Sequence, residues 1–236
     1  MKLLCALGVL AIICCGCNTA GSGDPSSASE IAAMRSREQS TVKLLAVRVN
    51  DKYGFIDRTG KVVVQPQFDG SKGFREGRGV ICVGSCSGIR TGDAKYGYID
   101  ETGKIVINPQ YDDANPFTEG LAAVCTGECS YSGQQKKWGF INKDGVMVVP
   151  AQFGRVLQFH DGVAAVCVGK CTGYGAEFEG KWGLINRDGK FVVNPQFDET
   201  GFITVGGIIE VTVGKGENAK KGYIDDQGNF IWQPSR

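Results

Sequence analysis

The stretch KWGLINRDGKFVVNPQF, residues 181–197, decides how this chain folds. Two runs in it, Trp182 to Asn186 and Phe191 to Asn194, are rich in aromatic and β-branched residues and read as strands, here a and b. Between them stands Asn186-Arg187-Asp188-Gly189. An Asn can hydrogen-bond its own backbone and a glycine can take a left-handed φ, so this segment reads as a hairpin connection. The frame recurs about every forty residues: KYGFID at Lys52, KYGYID at Lys95, KWGFIN at Lys137 and a worn KKGYID at Lys220. Each copy is followed by a D/N-x-x-G segment and an apolar run. The predicted turns are Asp57–Gly60, Asp100–Gly103, Asn142–Gly145, Asn186–Gly189 and Asp225–Gly228. Self-similarity at this period means a repeat array.

A third run, strand c, lies upstream of each a; in the fourth copy it is Ala164 to Val168. Its partner is decided by the first copy, where LLAVRV is followed only by Asn50-Asp51-Lys52 before Tyr53. Three residues can make a hairpin and cannot make a crossover, so c pairs with the a that follows it. Five c-a-b units result. The Pro-Gln-Phe/Tyr segment after b is expected to add a short fourth strand, with its proline at an edge or corner. The expected fold is all-β: an array of five antiparallel three- to four-stranded units, either open and curved or propeller-like. Ring closure would bring Leu45 against Trp232.

The aromatic-glycine step inside strand a resembles the WG-repeat (KWG-repeat) family of largely bacterial proteins. The resemblance runs from about Leu45 to the end of the chain. Tyr53 and Tyr96 stand where the family has Trp, and Lys221 replaces the aromatic altogether. The resemblance implies a β-rich, non-enzymatic repeat array and says little about a ligand. Glycine inside a strand normally costs stability, so its recurrence at 54, 97, 139, 183 and 222 marks a close approach by another backbone or by a ring. The D/N-x-x-G segments are not calcium loops, because Arg58, Lys143 and Arg187 stand where oxygen ligands would be needed.

Three units carry V/I-C-x-G-x-C: Cys82 and Cys86, Cys125 and Cys129, Cys167 and Cys171. The first and last units have Arg48 and Thr212 in place of the leading cysteine. A face that accepts Arg and Thr is expected to be open rather than core. The cysteines come and go as pairs, and they accompany the long c-a loops GSCSGIRTGDAK, GECSYSGQQKK and GKCTGYGAEFEGK. This predicts a local disulfide at the root of each long loop. Zinc prefers C-x2-C with four converging ligands, and dithiol redox chemistry prefers C-x-x-C.

The N-terminus reads differently. Lys2 precedes an apolar run from Leu3 to Ile13, too short to span a bilayer, and then Cys14-Cys15-Gly16-Cys17. Gly16-Cys17 resembles a bacterial lipoprotein signal with Cys17 as the lipid-bearing residue, although Cys14 stands where such signals usually have Leu. An ordinary cleaved signal peptide is the alternative, and both export the chain to an oxidising compartment. The expected organisation is a signal over 1–17, a Gly/Ser-rich tether over 18–43 and the repeat domain over 44–236.

Lys and Arg together number 26 and Asp and Glu 25, with no basic run long enough to track a phosphate backbone, so nucleic acid is not the expected partner. The one histidine, His160, occupies a position held by Arg75 and Thr118 in sister units, which marks a turn residue rather than a base. No nucleophile elbow or metal-ligand motif is present, and no cofactor or metal is indicated. The expected function is a non-enzymatic binding or scaffolding module of the cell envelope, membrane-tethered through Cys17, with an envelope protein or glycan as partner. A carbohydrate-binding or purely structural envelope protein is the alternative. Tyr131, Tyr174 and Phe178, with Arg90, Lys136 and Glu177 nearby, are the candidate contact residues in the long loops.

Overall fold

The computed structural model describes residues 44–86, 93–127, 129, 137–171, 179–204 and 206–235. Among these residues nineteen strands form five antiparallel sheets, and the only helical segment is a 3-10 turn at Gly216–Asn218. The first sheet holds β1 (Leu44–Val49), β2 (Lys52–Asp57) and β3 (Val62–Phe68). The second holds β4 (Gly70–Arg75), β5 (Arg78–Val83), β6 (Lys95–Ile99) and β7 (Ile105–Tyr111). The third holds β8 (Asp113–Ala114), β9 (Leu121–Thr126), β10 (Lys137–Asn142) and β11 (Met147–Phe153). The fourth holds β12 (Arg155–Val156), β13 (Val163–Val168), β14 (Lys181–Asn186) and β15 (Phe191–Phe197). The fifth holds β16 (Glu199–Ile203), β17 (Ile209–Val213), β18 (Lys220–Ile224) and β19 (Phe230–Ser235). Among the described residues no helix is long and apolar enough to cross a membrane.

Each strand c pairs with the a that follows it: β1 with β2, β5 with β6, β9 with β10, β13 with β14, β17 with β18. The Pro-Gln-Phe/Tyr segment is not the fourth strand. It continues strand b, and the fourth strand is the next segment, which pairs with the c of the following unit. The connection to the next sheet is therefore only one residue, Asp69, Asp112, Gly154 or Asp198. The expectation failed because strand b does not stop at its proline but arches past it.

That arch explains the glycine. Tyr53 pairs with Phe68 and Phe55 with Val64, so two steps along β2 face four along β3. The surplus residues bulge over Gly54, where a Cβ would lie 2.5 Å from the Val64 carbonyl oxygen and 2.7 Å from the Pro66 nitrogen. The same carbonyl, from Ile107, Val149 or Val193, lies 2.5 Å from the equivalent point on Gly97, Gly139 or Gly183. Of the two causes open at the sequence level, a backbone and not a ring is the neighbour.

All five D/N-x-x-G segments are hairpin turns. Asp57 Oδ1 accepts from the amides of Thr59 (2.8 Å) and Lys61 (3.1 Å), and Gly60 has φ +86°. A second turn family joins the fourth strand to c. Glu76-Gly77, Glu119-Gly120 and Asp161-Gly162 have both φ values positive, as a two-residue primed turn requires. His160 sits at the mouth of the last of these, Nδ1 3.2 Å from Asp161 Oδ2, with its side chain 43% exposed.

The core lies between consecutive sheets. Phe55, Val64 and Phe68 pack against Phe74, Ile81 and Ile99; Phe140, Val149 and Phe153 pack against Phe159, Val166 and Ile185. Both faces of an internal sheet are thus covered. This corrects the expectation for the cysteine face: Cys82, Cys125 and Cys167 are fully buried, and Thr212 is only 4% exposed. Arg48 escapes burial by hydrogen-bonding Asp51 at the sheet end, its guanidinium 5.7 Å from the centre of the Tyr53 ring. The ends of the series do not bury each other, since Leu45 is 48% and Trp232 61% exposed.

Candidate functional site

The three long c-a connections all leave the same edge of their sheets, between β5 and β6, β9 and β10, and β13 and β14. Their roots are built alike. Cys82–Cys86, Cys125–Cys129 and Cys167–Cys171 are disulfides, with Cα atoms 6.1, 6.1 and 6.2 Å apart. The intervening glycine turns the chain back: φ is +97° at Gly84, +85° at Gly127 and +92° at Gly169. Any side chain would be strained there. The Cys86 amide donates to the Gly84 carbonyl at 2.8 Å, and Cys171 to Gly169 at 3.0 Å.

Each leading cysteine stands directly opposite the aromatic residue of strand a: Cys82 faces Tyr96, Cys125 faces Trp138 and Cys167 faces Trp182. The aromatic ring thus flanks the staple. Where the staple is missing, the opposed pairs are Arg48 with Tyr53 and Thr212 with Lys221.

An acidic residue from the preceding sheet locks the same corner. Asp69 takes an ion pair from Lys52 and accepts the Gly84 amide at 2.9 Å. Asp112 pairs with Lys95 at 2.5 Å and accepts from the Gly127 amide at 2.8 Å. Asp198 pairs with Lys181 at 2.7 Å and accepts from the Gly214 amide at 2.9 Å. The Lys52 ammonium and the Gly84 amide hold the Asp69 carboxyl below the usual carboxylate range. Partial burial works against ionising Asp198, but Lys181 and the Gly214 amide outweigh it and its pKa is lowered too.

The third boundary, between the third and fourth sheets, breaks this rule. Gly154 takes the place of the aspartate, and a Cβ on it would lie 2.7 Å from the Cys171 Cβ and 2.9 Å from its sulfur. The staple there is pressed into the sheet junction, with Cys171 only 2% exposed.

On the opposite edge runs a second set of ties. Glu76 accepts from the amides of Glu119 (2.7 Å) and Gly120 (2.9 Å); Glu119 accepts from Gly162 (3.0 Å), and Asp161 from Gly206 (3.1 Å). Each primed turn therefore caps the next sheet's turn. Burial opposes ionisation of Glu76, yet these two amides and Lys143 keep its pKa lowered. Neither set was singled out from sequence. The signals were there, in the repeated Asp after Pro-Gln-Phe/Tyr and in the E/D-G of FREG, FTEG and FHDG.

The candidate contact residues Tyr131, Tyr174, Phe178, Arg90, Lys136 and Glu177 lie outside the described residues, as does Cys17. What the described residues define is the platform: three stapled roots on one edge of a stack of sheets.

A family described as "WG containing repeat" matches residues 53–85, 96–128, 138–170 and 182–215. Each matched segment begins at the aromatic of strand a and ends just past the c strand of the next sheet, so one sequence repeat straddles two sheets. No curated protein matches the chain. Among solved structures, the chain is similar to the tricorn protease at 16% identity and a TM-score of 0.38, over 83% of this chain and 23% of that one. With four matched segments covering more than half of its length, the chain belongs to the family of proteins built from WG-containing repeats.

Proposed function

We propose that this protein is an exported, lipid-anchored WG-repeat module that binds or scaffolds an envelope partner through its three stapled loops, without catalysing a reaction. The observation that carries this reading is the placement of the disulfides. All three sit at the roots of the long connections on one sheet edge. Disulfides persist in oxidising compartments, which favours a location outside the cytoplasm. Loops held on a rigid scaffold are where interactions concentrate. The position of His160 beside a hairpin turn, in register with Arg75 and Thr118, supports a turn role over a catalytic one.

The experiment is a capture from envelope extracts with the full chain as bait. A variant with the segments 87–92, 130–136 and 172–178 shortened to Gly-Ser linkers is the control. A partner retained by the first and lost by the second supports the reading; equal recovery by both refutes the loops as the contact site. The anchor is tested separately. Cys17→Ser should move the protein to the soluble fraction and abolish fatty-acid labelling; labelling that survives the substitution refutes the tether.

A further inference from the structure

The two end sheets differ from the internal ones in a complementary way. Within each sheet, one face meets the preceding sheet and the other receives the next. The face towards the preceding sheet carries an apolar triple. In the fifth sheet this is Ile209, Val211 and Ile224, all buried against the fourth. The first sheet keeps the same triple as Leu45, Val47 and Ile56. Among the described residues no sheet precedes it, and Leu45 is 48% exposed.

The centre of the fifth sheet's receiving face is also uncovered, although Thr212 on the same face is buried. In the four other sheets its central a-strand position is Phe55, Tyr98, Phe140 or Leu184, all buried; here it is Tyr223, 41% exposed. The b-strand position beside it is Val64, Ile107, Val149 or Val193, again all buried. Here it is Trp232, which pairs with Tyr223 across the strands and is 61% exposed.

The enlarged residue answers a missing one. At the second and third junctions a phenylalanine just past the incoming sheet's fourth strand lies on the a-strand ring below it. Phe117 lies 4.9 Å from Tyr98 and Phe159 4.8 Å from Phe140, between ring centres. Among the described residues the first sheet has no fourth strand and so brings no such ring. On the fifth sheet the bulk has moved to the receiving side, where Trp stands for Val.

Three polar side chains beside the two rings are tied within the face. Glu210 pairs with Lys221 at 2.7 Å and accepts the Tyr223 hydroxyl at 3.2 Å, while Trp232 Nε1 donates to Ser235 Oγ at 2.9 Å. The face therefore offers two aromatic rings beside a small charged group, Lys221 between Glu210 and the exposed Glu199 opposite Thr212. The rings suit an apolar sheet surface better than a hydroxyl-rich glycan or a charged peptide.

From this continuity with the internal junctions we propose that copies of this chain associate head to tail, the first sheet of one seated on the last sheet of another. Leu45, Val47 and Ile56 lie against Tyr223 and Trp232 in this contact. The contact is heterologous, so each copy has one donor and one acceptor face and assembly runs beyond the dimer unless a ring closes.

The test uses the exported full chain with disulfides intact and Cys17→Ser, so that no acyl chain drives association. Sedimentation velocity should show a mass that rises with concentration past the dimer. Leu45→Glu and Trp232→Glu each remove one face and should be monomeric at loadings where the parent associates. Tyr223→Glu is a second variant of the tail face. All three side chains are substantially exposed, and an unchanged melting temperature certifies the fold.

The decisive arm mixes Leu45→Glu with Trp232→Glu. Each retains the face the other lacks, so the mixture should form a dimer and stop there. A parent chain monomeric at every loading overturns the proposal. So does a Trp232→Glu variant that still dimerises alone, which would mean first sheet against first sheet, or a mixture that stays monomeric. A monomeric chain whose Trp232 fluorescence responds to envelope glycan would assign the face to carbohydrate instead and equally overturn it.

Discussion

Gly139 lies against the carbonyl of Val149: a Cβ at this glycine would fall 2.5 Å from that oxygen and 2.7 Å from the Ala151 nitrogen. The aromatic-glycine step is therefore a clearance between two backbones. The ring beside it is free to vary between Tyr and Trp, but the glycine is not.

Gly139→Ala should destabilise the protein by at least about 2 kcal/mol, because overpacking against backbone cannot be relieved by a side-chain rotation. Gly162→Ala is the comparison. Its φ is +82° and nothing lies within 4 Å of its Cβ position, so it carries only the conformational cost of about 1 kcal/mol. Urea unfolding of the two variants checks this; equal losses would mean that β10 can move away from the arch.

The disulfides should not reduce together. Exchange needs access to a sulfur, and Cys86 is half-buried, Cys129 8% exposed and Cys171 2% exposed. Under limiting reductant, alkylation and peptide mapping should find Cys82 and Cys86 labelled first and Cys167 and Cys171 last. Each staple closes a ring of only a few residues, worth about 2 kcal/mol in the chain-entropy model. The far-ultraviolet spectrum should consequently change little on full reduction.

The Gly154 substitution separates space from charge. Gly154→Asp restores the acidic residue found at the other boundaries but places its Cβ on Cys171. It should cost about 1–3 kcal/mol in the parent chain. In a Cys167→Ala, Cys171→Ala background much of that loss should vanish, measured as a double-mutant cycle of unfolding free energies. A loss of the same size in both backgrounds would show that the staple is not what excludes the aspartate.

Acid should loosen the stack. Asp69, Glu76 and Asp198 have folded-state pKa values below their ordinary ones. A depressed carboxyl binds protons more readily when unfolded. Its contribution is therefore complete above the unfolded-chain value of about 4 and disappears as pH falls through the lower folded value. Melting temperature should hold from neutrality to about pH 5 and drop below pH 4. Glu76→Gln should flatten that acid limb while lowering the plateau; an unchanged limb would remove Glu76 from the linkage.

Much of the strand order was legible in the chain itself. The D/N-x-x-G segments declared their turns because an Asx cap and a left-handed glycine act within four residues, as the Asp57 and Gly60 geometry shows. The pairing of β1 with β2 followed from the shortness of their connection, and the cysteine pairing from the way both cysteines come and go together with the long loops.

What sequence could not decide involved contacts between sheets. Cys82, Cys125 and Cys167 alternate onto a face that also holds Arg48, and only the stacking of the next sheet makes that face core. The role of Pro66 depended on whether β3 stopped or arched, and the arch exists because Gly54 leaves room for it. The ties from Glu76 to the Gly120 amide and from Asp69 to the Gly84 amide join residues 44 and 15 positions apart. Local propensity and alternation are properties of neighbouring residues, and they determined the repeat, its turns and its staples. Burial and inter-sheet hydrogen bonding depend on which surfaces meet, and only the tertiary structure decided which faces are core, which aspartates lock a corner and which faces the described residues leave exposed.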